Sequence, residues 1–345
     1  MEAPMFNHLI IPYLVAMFLA INMGGSGTAP AFSSAYGAGV IRKNLIPGLF
    51  GIMVLLGAIL AGKATATTIS SGIISSEYLN YSVTTLILLS IALSLLMANL
   101  LGVPQSTSQA TVLSVSAAAS YLDVLNRQKL FFEIIPTWLI LPAASFLICF
   151  LAGRYIYHPL RKKGLFLSPL YQRNRLIDGL IIAMSLYMAF AIGANNVANA
   201  AGPIARMTLN ELHINENPSN TLLIIILSTL LIAPNFGIGS SIFGHKIVSH
   251  TGKEIILFGK FEAIIIAFVS ASLLLTASLV KGIPSSLVQV NVAAIIGIGV
   301  AKLGSRNIFK KTEVSQFFIV WLIAPLMAYA ITYLGMYLLD HYRLL

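Results

Sequence analysis

The sequence predicts an all-α polytopic membrane protein: two inverted-topology repeats of about five membrane segments each, with broken or hairpin helices at the membrane midplane. Composition and hydropathy predict the membrane class. Of the 345 residues, 57% are hydrophobic and 9% are charged. Apolar runs of about 20 residues, the length of one helical crossing, recur along the whole chain. Motifs that occur twice in the same order predict the repeats.

Two pairs of motifs reveal the internal repeat most directly. Residues 138–142 (WLILP) recur as residues 321–325 (WLIAP), and these motifs contain the only two tryptophans of the chain. Residues 102–109 (GVPQSTSQ) recur as residues 282–289 (GIPSSLVQ), with Gly, Pro, Ser and Gln in register. A shared order of motifs indicates that a whole repeat was duplicated.

The repeats divide the chain into three parts. The first transmembrane repeat is expected at residues 1–157 and the second at residues 176–345, joined by a basic cytoplasmic linker at residues 158–175. An odd number of crossings in each half turns the second repeat upside down relative to the first. The pattern leaves open whether residues 81–121 and 262–303 are hairpins or full crossings. The positive-inside rule agrees with this topology, because alternation places these bases on the linker side: Arg42, Lys43, Lys246, Lys253, Lys260, Lys302, Arg306, Lys310 and Lys311.

A segment of polar and small residues interrupts an apolar run in each half, at residues 22–31 (NMGGSGTAPA) and 191–200 (AIGANNVANA). Both segments are expected to break their helices, and unwound backbone and Asn side chains offer N–H donors as well as carbonyl acceptors. We expect them to shape a midplane site for an anion or a co-ion; contact between helices is the competing interpretation. Paired interruptions are typical of secondary transporters. The candidate residues are Asn22, Gly24, Ser26, Asn195, Asn196 and Asn199.

A polar cluster follows a proline in each half. Pro104 and Pro284 are expected at first helical positions, where the free N–H groups that follow carry about half a positive charge. Such helix N-termini solvate oxyanions. The expected oxyanion ligands, with the three glutamines in second rank, are Ser106, Thr107, Ser108, Ser285, Ser286, Gln105, Gln109 and Gln289.

Few other residues are candidates for catalysis, metal binding or proton transfer. Glu262 opens an apolar run, and an intramembrane acid is a functional candidate, here as a proton carrier; the alternative is a side chain that reaches the cytoplasmic interface beside Lys260. Cys149 is the only cysteine, so a core position is expected rather than a disulfide or a thiolate metal site. The spans contain no nucleophile with a base and no metal cluster, so neither enzyme activity nor a cofactor is expected. The net charge of +10 is spread over short loops, which indicates membrane orientation rather than nucleic-acid binding.

Residues 193–200 (GANNVANA) resemble the signature of the inorganic phosphate transporter (PiT) family, whose usual form is Gly-Ala-Asn-Asp-Val-Ala-Asn. The resemblance covers nearly the full length, including both signature copies and both post-proline clusters. Within the family, the bacterial sulfate permease branch is the most similar, at residues 20–27, 104–108 and 195–199. The resemblance implies secondary active uptake of a tetrahedral oxyanion, driven by a cation gradient.

One departure from the family pattern bears on the substrate. Phosphate-transporting members typically carry Asp in both signature copies, whereas this chain has Asn196 in one and Gly27 in the other. Phosphate near neutral pH is partly protonated and can donate a hydrogen bond to a carboxylate, whereas sulfate only accepts and would be repelled. Neutral donors therefore suit sulfate or thiosulfate. The missing carboxylates also weaken the case for sodium, which leaves proton coupling by elimination.

The sequence thus predicts a multi-pass transporter of a prokaryotic cell membrane that imports sulfate, or thiosulfate, by proton-coupled alternating access. The expected partners are the oxyanion, a proton as co-ion, the lipid bilayer and a second copy of the chain in a homodimer. A phosphate symporter coupled to sodium or protons is the first alternative. An anion channel is a remote one, because a channel does not need paired broken segments.

Overall fold

A computed structural model describes the chain at residues 3–101, 105–164, 174–251, 259–310 and 312–345, where helices are the regular elements and no strand occurs. The helices of the first half are α1 (Ala3–Gly37), α2 (Ile46–Ala61), α3 (Lys63–Thr67), α4 (Tyr81–Leu101), α5 (Thr107–Tyr121), α6 (Ile135–Ala152) and α7 (His158–Lys162). Those of the second half are α8 (Arg175–Asn196), α9 (Ala198–Glu211), α10 (Pro218–Ile232), α11 (Pro234–Thr251), α12 (Lys260–Thr276), α13 (Leu287–Leu303), α14 (Ser305–Phe309) and α15 (Thr312–His341).

Eight helical stretches of the described chain are long and apolar enough to cross a membrane. Helices α5 and α13, with 15 and 17 residues, are too short to count among them. Together they give five segments in each half, as predicted. The eight stretches are Leu9–Gly37, Lys43–Ala61, Tyr81–Leu100, Lys129–Lys162, Arg175–Glu211, Pro218–Gly244, Lys260–Lys281 and Trp321–His341.

The two short helices return along the helices that precede them. Lys302 Nζ lies 2.8 Å from Glu262 Oε1, which places the end of α13 beside the start of α12. In the first half, Ser114 Oγ of α5 lies 3.4 Å from the carbonyl oxygen of Ile87 on α4. At 1.5 Å per residue α5 and α13 extend about 22 and 25 Å, less than the ~30 Å of bilayer hydrocarbon. Each short helix therefore forms the second arm of a helical hairpin with the helix before it, and neither α5 nor α13 is among the stretches long enough to cross by itself.

Packing between helices repeats when the two halves are exchanged. Helix α6 packs on α13, and α15 packs on α5, so the last long helix of each half lies against the short helix of the other. Helix α1 packs on α4 and α11, and correspondingly α8 packs on α12 and α2. This pattern is what a two-fold relation between the halves produces.

The α1–α11 crossing brings backbone against backbone. A Cβ atom on Gly24 would lie 2.2 Å from the carbonyl oxygen of Phe236, and one on Gly239 would lie 1.8 Å from that of Ile21. No side chain fits at either position. Because lipid tails remove the hydrophobic drive between membrane helices, such close approach through small residues is a main source of their cohesion.

The α2–α8 crossing repeats this arrangement. A Cβ atom on Gly193 would lie 2.0 Å from the carbonyl oxygen of Val54, and one on Gly57 would lie 1.9 Å from that of Phe190. The shared pattern aligns Gly24 with Gly193, and hence Gly27 with Asn196 three residues further on. The packing therefore supports the pairing of these two positions that the sequence motifs suggested.

The break predicted at residues 22–27 does not occur, since α1 is a continuous helix from Ala3 to Gly37. Its glycines are tolerated because the α11 backbone replaces the missing side-chain contacts. Ser26 Oγ and Thr28 Oγ1 donate back to carbonyls of their own helix, at 3.0 and 2.7 Å. In the second half the break is limited to the single residue Val197, which separates α8 from α9 but keeps helical dihedral angles (φ −61°, ψ −33°), so the predicted unwound backbone does not occur there either.

The first residues of the expected linker are helical. Helical structure continues from α6 through a π-helical turn, Gly153–Tyr157, into α7, which ends at Lys162. Much of the expected 158–175 linker, at residues 165–173, lies outside the described residues, as do Lys253 and Lys311. Cys149 is fully buried, so the core position expected for it is confirmed.

Gly193→Ala is expected to destabilise the protein, because its Cβ would meet a backbone oxygen that cannot rotate away. Overpacking of this kind costs about 1–3 kcal/mol or more. Gly179→Ala is the matched control, since it lies in the same helix with nothing within 4 Å of its Cβ. Thermal unfolding of the detergent-purified proteins should show a lower midpoint for Gly193→Ala alone. Equal midpoints for both variants would contradict the backbone contact.

Candidate functional site

The tips of the two hairpins begin their helices in the same way. Ser106 caps α5, and its Oγ accepts a hydrogen bond from the Gln109 N–H (3.3 Å). Ser286 caps α13, and its Oγ accepts one from the Gln289 N–H (3.2 Å). A capping serine fixes the first turn and leaves the N–H groups of the two following residues without a partner in the helix.

The role predicted for proline at these tips is wrong in the second half. Pro284 lies three residues before α13 begins at Leu287, so it does not occupy a first helical position. The serine cap forms the N-terminus instead, because its side chain satisfies an N–H group that proline would simply lack. Pro104 lies outside the described residues.

The two helix starts are joined to each other by a pair of amides. Gln109 Nε2 donates to Gln289 Oε1 (3.0 Å), and Gln289 Nε2 donates to Gln109 Oε1 (2.9 Å). Both side chains are buried. This reciprocal bond, which we call the glutamine pair, holds α5 of one half against α13 of the other.

Asn195, at the end of α8, is bonded to both hairpin tips. Its Oδ1 accepts from Ser108 Oγ (3.1 Å) and from the Ser285 N–H (3.2 Å). Its Nδ2 donates to Ser278 Oγ (2.8 Å) and to the Ile283 carbonyl (3.3 Å). All four hydrogen-bonding positions of the amide are thus used, and Asn195 positions the tips relative to the broken helix.

The other two asparagines of the broken segment are less completely bonded. Ser108 Oγ lies 3.5 Å from Asn196 Oδ1 and receives a hydrogen bond from Asn199 Nδ2 (3.3 Å). Asn199 Oδ1 is buried and accepts no hydrogen bond from a described residue. Oxygen atoms from Ser108, Asn195, Asn196 and Asn199 are therefore gathered where α8 ends.

The first-half segment forms a second polar contact that sequence reasoning missed. Asn99 Nδ2 of α4 donates to the backbone carbonyl (2.9 Å) and the side-chain oxygen (3.2 Å) of Asn22. Gln105 Nε2 donates to Ser94 Oγ (2.9 Å), whereas Gln105 Oε1 is buried and has no partner among the described residues. Asn99, Ser94 and Ser278 are single polar residues late in apolar runs, and that position is the signal that could have identified them.

A small enclosed cavity lies between these elements, with a volume of about 10 Å³. That volume corresponds to about one water molecule. None of its described lining residues is ionisable. The lining consists of Ser26, Gly27, Pro30, Gln105, Ser106, Thr107, Asn196, Leu287 and Val288.

The cavity separates the predicted site residues into two groups. Ser26, Asn196, Gln105, Ser106 and Thr107 line it. The others surround it or pack nearby: Gly24 lies at the α1–α11 crossing, and Ser285 Oγ bonds back to the Ile283 carbonyl (3.2 Å). The residues that do not line it are Asn22, Gly24, Ser108, Gln109, Asn195, Asn199, Ser285, Ser286 and Gln289.

Glu262 does not join this cluster. Its Oε2 accepts from the Gly259 N–H (3.1 Å) and its Oε1 pairs with Lys302, whose Nζ also lies 4.9 Å from the centre of the Tyr157 ring. Glu262 precedes Ser278 by sixteen residues in the helical stretch Lys260–Lys281, which corresponds to about 24 Å. The carboxylate is buried, with 2% of the residue exposed, but it lies at the far end of the hairpin from the cavity.

The remaining described ion pairs also lie away from the cavity lining. Lys260 pairs with Asp178 at 2.5 Å, which joins the starts of α12 and α8. Arg206 of α9 makes two hydrogen bonds to Glu216, at 2.6 and 2.9 Å. The Arg206 guanidinium holds the pKa of the Glu216 carboxyl below its ordinary value. None of these charged residues is among the described residues that line the cavity.

Known proteins place this architecture in a family. The model of the phosphate transporter family matches residues 23–332. The chain is 32% identical over 323 residues to the sulfate permease CysP of Bacillus subtilis, covering 93% of this chain and 85% of that protein. It is 26% identical over 365 residues to a putative phosphate permease of Helicobacter pylori, covering 84% and 68% respectively.

A solved structure titled the sodium-dependent phosphate transporter has the same fold. The two superpose with a TM-score of 0.82, covering 97% of this chain and 99% of that one at 21% identity. The motif pairs, the hairpins, the broken helix and the family match agree. The chain belongs to the phosphate transporter family and is a membrane transporter.

Proposed function

We propose that this transporter imports sulfate by alternating access. The observation that carries the proposal is the cavity, which is walled by neutral side chains and by the starts of two helices. Sulfate accepts hydrogen bonds and donates none, so a lining without a carboxylate meets it without repulsion. The N–H groups of the helix starts supply partial positive charge. The name of the Bacillus subtilis relative supports the same substrate class.

Both positions where the family signature usually has Asp lie at this cavity. Asn196 and Gly27 line it, and the packing register places them in corresponding positions. A Cβ atom on Gly27 would lie 3.1 Å from Phe50 Cζ and 3.5 Å from Ile192 Cγ2. An aspartate at residue 27 would therefore press on the Phe50 ring. The surroundings of residue 27 therefore favour glycine over a larger residue, whatever its charge.

The volume of the cavity supports a cycle of opening and closing. A space of about 10 Å³ holds one water molecule and is too small for a tetrahedral oxyanion. The walls must therefore separate to admit the substrate. The proposal includes the organisation predicted from the sequence: inverted repeats at residues 1–157 and 176–345 would let the two hairpin tips open alternately to either side.

Two ions are candidates for the co-ion that drives uptake. The sequence favours a proton, but no described lining residue can carry one, and Glu262 is engaged with Lys302 at the end of the hairpin. Sodium is the second candidate, because neutral oxygens of Ser108, Asn196 and Asn199, which are less completely bonded than that of Asn195, are gathered beside the cavity. Hard cations bind such oxygens, although a carboxylate would strengthen the site.

Phosphate is the second candidate substrate. The buried Oε1 of Gln105 and Oδ1 of Asn199 have no described donor, and a protonated phosphate could supply one hydrogen bond to either. Sulfate has no proton to give, so these oxygens would remain for a cation. Phosphate and sulfate as substrates therefore differ in what binds these two oxygens: the proton of a phosphate or a separate cation.

Purified protein in proteoliposomes is expected to accumulate radiolabelled sulfate when an inward cation gradient is imposed. Proton and sodium gradients are imposed separately, and each uncompensated charge would oppose entry by about 2.3 kcal/mol per 100 mV. Uptake and counterflow of labelled sulfate are measured with and without phosphate as competitor. Phosphate uptake without sulfate uptake would overturn the proposed substrate, and flux without counterflow would indicate a channel.

Ser106→Ala is expected to weaken sulfate transport much more than Ser286→Ala. Both changes remove the same capping bond from equivalent helices, but only Ser106 lines the cavity. A hydrogen bond to a charged group contributes about 1.5–3 kcal/mol, so the KM for sulfate should rise about tenfold or more in Ser106→Ala. Uptake kinetics measure both variants. Equal increases in KM for the two variants would show that the loss of a helix cap, and not the loss of the cavity hydroxyl, weakens transport.

Asn196→Asp is expected to lower sulfate uptake and to increase inhibition by phosphate, because it restores a carboxylate that repels a dianion and accepts a hydrogen bond from a protonated one. The rate of sulfate uptake should fall about tenfold or more, because the repulsion between buried like charges exceeds the energy of about one pKa unit, about 1.4 kcal/mol. Asn307→Asp adds the same charge at an exposed position and serves as the control. Unchanged selectivity in Asn196→Asp would contradict the role given to residue 196.

A further inference from the structure

The glutamine pair lies directly beside the cavity but not in its wall. Gln109 follows Thr107 by two residues and Gln289 follows Val288 by one, and both Thr107 and Val288 line the cavity. The pair crosses between these two walls, with bonds of 3.0 and 2.9 Å. With 7% and 8% of their surface exposed, both glutamines are shielded from solvent. The pair therefore connects the walls that must separate when an anion enters.

The two helix starts have a reason to need such a connection. The N-termini of α5 and α13 carry partial charges of the same sign, about half a positive charge each. Without an anion between them these termini repel each other, and the amide pair is neutral and bridges them. An oxyanion between the termini would attract both. The pair and the anion are thus alternative ways of holding the same two helices together.

We infer that Gln109 and Gln289 are positioning residues that close the hairpin tips of the empty transporter, and that their bonds break when the oxyanion enters. The inference rests on the proposed function and deepens it. It also changes the role expected from the sequence, where both glutamines were ligands of second rank. A ligand stabilises the loaded state, whereas the pair stabilises the empty, closed state.

This role separates two transport rates. Net uptake requires the empty transporter to return through its closed state, which the pair stabilises. Exchange of anion for anion passes through loaded states, where the anion takes over the connection. Losing the pair should therefore slow net uptake and leave exchange intact.

The experiment compares Gln109→Leu, Gln289→Leu and the double variant in proteoliposomes loaded with or without internal sulfate. Net sulfate uptake is expected to fall about tenfold or more, and exchange to stay within about threefold of wild type, with no rise in KM. The double variant should be no more impaired than either single variant, because either change already removes both bonds and only a single change leaves a buried amide unpaired. A ligand role would instead lower exchange and raise the KM.

Two other glutamines provide matched controls. Gln105→Leu removes a cavity-lining amide, and it should impair exchange and net uptake together. Gln128→Leu changes an exposed residue and should alter neither rate. If Gln109→Leu behaves like Gln105→Leu, the inference is overturned in favour of direct anion binding.

Thermal unfolding adds a readout that a merely structural bond would not give. Gln109→Leu should unfold at a lower temperature than wild type in sulfate-free buffer, and saturating sulfate should reduce that difference, because the pair is already broken in the loaded protein. A difference that sulfate leaves unchanged would mean that the pair persists with anion bound, and would overturn the inference. Wild-type uptake is measured in the same preparation: its absence would count against sulfate as the substrate, and the comparison would then be run with phosphate.

Discussion

Close contact between helix backbones at four glycines is the constraint on which the rest of this structure depends. At Gly24, Gly57, Gly193 and Gly239 an added Cβ would lie about 2 Å from a carbonyl oxygen of the crossing helix. These crossings bring α1 against α11 and α8 against α2, and they place Gly27 and Asn196 at one cavity. Apolar packing alone would not fix this register, since lipid satisfies an apolar helix face as well as a neighbouring helix does. The site is therefore positioned by residues that take no part in its chemistry.

The distribution of charged residues in the protein follows from the cost of burying a charge. The described ion pairs, including Glu262–Lys302 and Arg206–Glu216, lie outside the cavity lining, whereas the cavity contains helix starts, hydroxyls and amides. A buried charge without a partner is costly in an empty site, whereas a neutral donor set costs little until an anion arrives. This arrangement suits a transporter, because the site must be stable both empty and loaded. It also explains why a chain with 21 basic residues has no basic residue among those lining its cavity.

The sequence predicted the parts of this architecture that depend on local pattern. Apolar runs located five segments in each half, and the three asparagines at residues 195–199 located the junction between α8 and α9 at Val197. The continuous α1 was missed because glycines weaken an isolated helix, and only the α11 backbone, distant in sequence, reverses that effect. The prediction that Pro284 begins α13 was wrong because Ser286, two residues later, caps that helix. The Gln109–Gln289 bond joins residues 180 positions apart. No local pattern distinguishes such a bond from two separate ligands.

The completeness of hydrogen bonding distinguishes the fixed part of the site from the part that changes. Asn195 uses every donor and acceptor of its side chain, and so it behaves as framework. Asn199 Oδ1 and Gln105 Oε1 are buried acceptors with no described donor, and each such group costs about 1–3 kcal/mol. Sulfate cannot relieve that cost, because it also only accepts. A cation beside the anion would relieve it and would offset the charge of the dianion at the same time. The buried oxygens of Asn199 and Gln105 thus link substrate and co-ion. An anion that carries no proton cannot donate a hydrogen bond to them, so a cation is needed instead.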